Sequence, residues 1–243
     1  MNSYVKIIVS GHIIDFTEYQ KLNVNNDPSK AREDRQDNED LGLYKSQNYV
    51  QTMRNRKLKV RQLINTNFNA QSRFITLTFA DNITDVKVAN HEFKKFIQRL
   101  RYKYGTAFKY ISVVEFQKRG AVHYHMLTDL EYIKTSELSK IWAQGFVKIN
   151  RISHVDNVGA YVVKYMTEDL DDTRLQGLKA YNGSQNLSKP TEFKSWVNDD
   201  ATKSMFQLLE SHKKSLVFHS VHETQEAGTI IYRQYNLIKN DTK

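Results

Sequence analysis

No cysteine occurs among the 243 residues, so neither a disulfide nor a thiolate metal site can form. That fits a reducing cytoplasm. No apolar run approaches the roughly eighteen residues of a membrane-spanning helix. The first residues lack the charged start and apolar middle of a signal peptide, which again points to the cytoplasm. There is no G-x-x-x-x-G-K-S/T run, so an ATP-driven helicase module is not expected. Acidic residues are missing from one long window. Leu41 to Ala80 has no Asp or Glu, yet it holds Lys45, Arg54, Arg56, Lys57, Lys59, Arg61 and Arg73. Most of the net charge of +9 therefore lies in one stretch, which is the electrostatic footprint of a phosphate-backbone partner.

Apolar material is sufficient for a core. Hydrophobic residues make up 40% of the chain, with 12 Phe, 14 Tyr and 2 Trp. This suits one large domain or a domain with an appendage. Tyr4 to Phe16 alternates and reads as one or two strands broken at Gly11. Asn23 to Gly42 is polar and reads as a loop or arm. Lys45 to Ile64 is a basic helix, with Val50, Met53, Val60, Leu63 and Ile64 on its packing side. Arg73 to Ala80 is a strand with Ile75, Leu77 and Phe79 on one face and Phe74, Thr76 and Thr78 on the other. Asp85 to Tyr104 is an amphipathic helix closed by Gly105, flanked by Lys94, Lys95, Arg99, Arg101 and Lys103.

Thr135 to Ala143 makes a short helix with Thr135 or Ser136 as its cap. Gly145 to Ile152 returns as a strand. A helix capped by Asp156 or Asn157 runs to about Leu170. Leu178 to Pro190 is irregular. Thr191 to Lys213 contains a helix packed through Phe193, Trp196, Val197, Met205, Phe206, Leu208 and Leu209. Leu216 to Thr224 and Gly228 to Leu237 form a closing hairpin. Helices and strands mix without βαβ alternation, so the expected class is α+β, an antiparallel sheet covered by helices.

The chemistry concentrates in Glu115 to Leu127, E-F-Q-K-R-G-A-V-H-Y-H-M-L. Two β-rich runs flank Lys118-Arg119-Gly120, which fits a three-residue hairpin loop with Gly120 in the left-handed region. That register sets Glu115 opposite His123, and His123 and His125 share a face while Tyr124 points the other way. A carboxylate and two imidazoles converging on one spot suit a divalent cation with open positions. On the helix after Asn157, Tyr161, Lys164, Tyr165 and Glu168 form one stripe. A phenol is a weak nucleophile at neutral pH, with a pKa of about 10. It becomes useful where the attacked group is polarised and a cation such as Lys164 steadies the charge. Attack on a phosphodiester would leave a phosphotyrosine and a free 3′-hydroxyl.

Three stretches together resemble the rolling-circle replication initiators of plasmids and phages, in the endonuclease superfamily with the His-hydrophobe-His motif. Phe74 to Phe79 looks like the first strand motif, His123-Tyr124-His125 like the metal motif, and Tyr161 to Lys164 like the nucleophile motif. The resemblance spans about Phe74 to Leu170. It implies a five-stranded antiparallel palm with amino- and carboxy-terminal additions. It also implies a Mg²⁺ or Mn²⁺ ion, and nicking and strand transfer on single-stranded origin DNA. On this reading Glu115, His123 and His125 are the metal ligands, with Glu168 a further candidate. Tyr161 is the nucleophile, Lys164 its cationic aid, and Tyr165 a second phenol as in two-tyrosine phage initiators. Arg54, Arg56, Lys57, Lys59, Arg61, Lys94, Lys95, Arg99, Arg101, Lys118 and Arg119 are candidate DNA contacts, for an origin that includes a hairpin stem. Residues 71–172 form the catalytic core, 1–70 a strand, loop and basic helix beside it, and 173–243 a helix plus hairpin. Unwinding falls to a host helicase as partner. The competing readings are a relaxase or transposase of the same superfamily, a hydrolase with a water nucleophile, and a non-catalytic nucleic-acid-binding module.

Overall fold

The structure is a computed structural model that describes residues 3–20, 41–165, 181–197, 199–211, 215–224 and 228–238, with backbone alone at 41–51, 53, 201 and 210. Its elements in chain order are β1 (Tyr4–Ser10), β2 (Ile13–Tyr19), α1 (Leu41–Asn67), β3 (Arg73–Thr78), α2 (Val86–Tyr104), β4 (Tyr110–Phe116), β5 (Val122–Thr128) and α3 (Thr135–Trp142). There follow β6 (Val147–Arg151), α4 (Val158–Tyr165), β7 (Asn182–Gly183), β8 (Thr191–Trp196), α5 (Asp200–Ser211), β9 (Leu216–Thr224) and β10 (Gly228–Asn236). The chain forms two compact units, Met53–Lys189 on its own and Met1–Thr52 together with Pro190–Lys243. Each is built on a five-stranded antiparallel sheet, so the α+β class holds and the central sheet is open rather than a closed barrel. Among the described residues no helix is long and apolar enough to cross a membrane.

The sheet of the first unit has the order β6-β3-β5-β4-β7. Strand alternation gives it two different faces. One face carries Ile75, Leu77, Tyr124 and Met126 into a core with Phe93, Phe96, Leu100 and Trp142 from α2 and α3. Local chemistry explains α2. Asp85 caps it by accepting from the Lys87 amide at 2.7 Å, and Val86, Ala89, Phe93, Phe96, Ile97 and Leu100 recur at helical spacing. Gly105, at φ +79°, closes the helix through its amide to the Arg101 carbonyl. The second face presents Phe74, Thr76 and Thr78 beside His123 and His125. The α4 helix lies over it, with Tyr161 and Tyr165 in ring contact with Phe74.

Two local expectations change here. Neither Thr135 nor Ser136 caps α3; Lys134 holds the cap position without a side-chain bond. The α1 helix also begins at Leu41, earlier than its basic run, and ends at Asn67.

The second unit has the sheet order β8-β1-β2-β10-β9, so strands from the two ends of the chain make one surface. The α5 helix packs on one face through Leu209, Met205 and Phe206 against Val5, Ile7, Ile14, Phe16 and Tyr235. Thr191–Trp196 departs from the helix expected there. It is β8, paired along β1 with Phe193 opposite Ile7, and the helix starts only at Asp200. Thr-Glu-Phe-Lys-Ser-Trp carries its two apolar residues three apart, Phe193 and Trp196, a spacing that also suits a helix face and that does not mark a strand. The pairing partner lies near the other end of the chain, so nothing local announces it.

Candidate functional site

The β4–β5 turn fixes the site. The Gln117 amide donates to the Ala121 carbonyl at 2.9 Å, and Gly120 sits at φ +84° with its amide bonded to the Gln117 carbonyl. Glu115 then pairs with His123, and Val113 with His125. A slip of one residue would send Glu115 to the Tyr124 face, where Tyr124 is fully buried, stacks on Phe93 at 4.6 Å and donates to Asn90 Oδ1. Arg119 holds the turn in place. Its guanidinium donates to the Phe79 carbonyl at 2.6 Å, the Ala80 carbonyl at 3.3 Å and Gln117 Oε1 at 3.0 Å. Its fork thus ties the hairpin to the end of β3, a structural duty that competes with the DNA contact expected of it. Lys118 is exposed at the tip.

Glu115, His123 and His125 bring one carboxylate oxygen and two imidazole nitrogens within 4.8 Å of one another. Glu115 Oε2 accepts from His125 Nε2. That hydrogen bond is the main reason the Glu115 carboxyl stays below its ordinary range, against the opposing effect of burial. His123 is pushed down to about 4, first by burial and then by the neighbouring His125, so its ring is neutral near pH 7. A neutral imidazole and an ionised carboxylate are the protonation states that bind a hard or borderline divalent cation. The donor set therefore fits the Mg²⁺ or Mn²⁺ that the resemblance implies, and the chemistry of these ligands does not choose between the two.

The shell around the ligands is equally ordered. Thr76 Oγ1 lies 3.3 Å from His125 Nδ1, and Thr78 Oγ1 lies 3.2 Å from His123 Nε2. Phe74 stacks on the His125 ring at 5.4 Å, with planes 4° apart. Both threonines thus orient imidazoles. In the sequence they read as ordinary strand residues, although their shared face with Phe74 was already legible.

The α4 helix delivers the phenols. Asn157 Oδ1 caps it by accepting from the Ala160 amide at 2.9 Å. Asn65 of α1 reinforces this end: its amide group donates to Asn157 Oδ1 at 3.0 Å, and its Oδ1 accepts from the Gly159 amide at 2.7 Å. A Cβ on Gly159 would fall on the Arg61 carbonyl and the Asn65 side chain, so this glycine permits the two helices to touch. Nothing in the sequence singled out Asn65, because its partners are more than ninety residues away.

Tyr161 and Tyr165 place their hydroxyls 3.1 Å apart. The Tyr165 ring lies 4.6 Å from that of His125. Burial, then the Tyr161 hydrogen bond, pushes the Tyr165 phenol up to about 12. Lys164 is exposed one turn after Tyr161. Glu168 lies outside the described residues.

The basic residues divide between two locations. Arg54, Arg56 and Lys59 are exposed on α1, while Lys57 and Arg61 are half-buried. The α2 residues lie on the far layer of the sheet from the histidines. There Arg99 donates to the Ile141 and Trp142 carbonyls at 2.7 and 3.0 Å, and Lys95 pairs with Glu92 at 2.9 Å. Arg99 is therefore a C-terminal tie for α3 rather than an outward-facing contact. Lys94 is exposed and Arg101 half-buried on that layer.

Neither the curated proteins nor the solved structures contain a match to this chain. A family model does match, and it covers the segment that carries β3, the metal-ligand hairpin and the start of the tyrosine helix. Residues 72–170 match the family described as replication-associated protein ORF2, in agreement with the replication-initiator resemblance of the three motifs.

Proposed function

We propose that this protein is a metal-dependent nicking and joining endonuclease that initiates rolling-circle replication on single-stranded origin DNA. The observation that carries the reading is the convergence of Glu115, His123 and His125 under a helix whose Tyr165 ring touches His125 and whose Tyr161 hydroxyl meets that of Tyr165. Glu115, His123 and His125 would hold a divalent cation, and that ion would supply Lewis-acid polarisation of the scissile phosphate.

The chain's own residues account for the remaining steps. The Tyr161 oxygen attacks phosphorus, a new P–O bond forms as the bond to the 3′ oxygen of the preceding nucleotide breaks, and that oxygen takes a proton from water to become the free 3′-hydroxyl. As Tyr161 passes its proton to the Tyr165 oxygen, Tyr165 releases its own hydroxyl proton toward solvent, so Tyr165 ends the step as a neutral phenol. Tyr165, whose phenol is harder to ionise, is the relay in the first event and the reserve nucleophile for a second. Lys164 offsets charge on the non-bridging phosphate oxygens. Thr76 and Thr78 orient the two imidazole rings through contacts to one nitrogen of each. Exposed Arg54, Arg56 and Lys59 grip the phosphate backbone, a salt-sensitive contact. A helicase from the host would open the duplex.

The test uses a random library of single-stranded DNA with Mn²⁺ or Mg²⁺ and capture of denaturation-resistant adducts. Tyr161→Phe is expected to abolish the first-round adduct while DNA binding persists. Tyr165→Phe should keep the adduct and slow strand transfer. Cleavage by the wild type with no adduct at all would replace the tyrosine reading with a water nucleophile.

A further inference from the structure

The second unit carries a surface that the metal hairpin does not use. Its sheet is covered on one face by α5. On the opposite face, cross-strand register aligns side chains in rows. One row runs Trp196, Tyr4, Tyr19, Ile230 and His222 across all five strands. The Tyr4 ring lies 5.6 Å from that of Trp196 and 6.2 Å from that of Tyr19. Trp196 is 44% exposed, in contrast with the fully buried Trp142 of the other unit. The adjacent row places Lys6 directly opposite Lys194, and then Thr17 and Tyr232.

We infer that this row is a stacking platform for single-stranded DNA, with bases on Trp196 and its tyrosine neighbours and phosphates against Lys6 and Lys194. The chemistry on the surface selects this occupant. The exposed ring is a Trp on the edge strand, followed along the row by the half-buried Tyr4 and Tyr19, and an aromatic face accepts any base. The cations stand one row away, at the distance of a backbone from its bases. Glu192 binds both lysines, Lys6 at 3.5 Å and Lys194 at 2.5 Å, so two ammonium groups share one carboxylate at this end of the row, while Asp15 farther along accepts from the Tyr232 hydroxyl and the Gln234 amide. An antiparallel sheet with surface aromatics and flanking lysines is a recurrent solution for unpaired strands. Such a platform would hold the strand independently of the nicking chemistry, so it goes beyond the reading given above.

The full chain is titrated with a dT oligonucleotide in EDTA, where no cleavage can occur, and tryptophan emission is followed. Quenching is expected, because the only other tryptophan is buried. Trp196→Phe should remove the quench with little loss of affinity. Trp196→Ala should weaken binding about tenfold. Lys6→Glu with Lys194→Glu should flatten the salt dependence of binding. Unchanged emission at saturating dT, or wild-type affinity in Trp196→Ala, overturns the platform. Tighter binding of an rU than of a dT oligonucleotide overturns its assignment to DNA. Failure of all these tests would leave the tyrosine chemistry untouched, since that is read from covalent adducts.

Discussion

His123 and His125 stand two residues apart on one strand, yet each has its own support. His125 is 5% exposed, clamped between Phe74, Thr76 and the Tyr165 ring. His123 relies on Thr78 and on burial. Replacement of Thr76 by Val keeps the shape and removes the hydroxyl, so His125 loses its orienting partner. Mn²⁺ affinity measured by calorimetry should fall about tenfold with the fold unchanged. Glu115→Gln keeps the size of the side chain and removes its charge, and should reduce Mn²⁺ affinity further than Thr76→Val does. Equal affinities in the wild type and Glu115→Gln would remove the carboxylate from the ligand set. At this scale the sequence was most informative. Period-two alternation and a Gly at the turn were enough to place Glu115 and His123 face to face, because hairpin register is a local property. The second layer was less visible, since a threonine on a strand is common and its hydroxyl partner is set by a neighbouring strand.

The elements are positioned by contacts that sequence windows do not contain. Gly159 lets α4 touch α1, and Asn65 bonds both the Gly159 amide and the Asn157 cap. Gly159→Ala should force the helices apart, destabilising the fold by about 1–3 kcal/mol as an overpacked contact. Adduct formation should fall with it, since Tyr161 rides on the same helix. Thermal unfolding beside the adduct assay separates the two effects. On the other layer, Leu100 is fully buried in α2, and Leu100→Ala should cost about 2–5 kcal/mol in chemical denaturation while leaving Mn²⁺ binding intact in the folded fraction. The α2 helix was legible in full because its spacing, its Asp85 cap and its Gly105 stop lie within one window. The strand Thr191–Trp196 was not, because its hydrogen-bond partner is β1.

At the scale of the whole molecule, a class with one sheet and its additions was readable, but the pairing of the chain's ends was not. β10 lies against β2, with the Tyr232 hydroxyl donating to Asp15 at 2.6 Å across more than two hundred residues. Only tertiary structure brings such partners together. The described unit that carries the histidines, Met53–Lys189, encloses the family match up to the last residue described in α4. The candidate site and the family match thus reside in one unit, as far as the residues of that match are described.

The central claim is that a phenol of α4 forms the bond to DNA. Trypsin offers a direct reading, since cleavage after Lys164 separates Tyr161 from Tyr165 into different peptides. Tandem mass spectrometry of the digested adduct is expected to find the nucleotide mass on the peptide Ile152–Lys164 after the first event. A nucleotide carried only outside the two α4 peptides, or cleaved DNA with no modified tyrosine, would contradict the account.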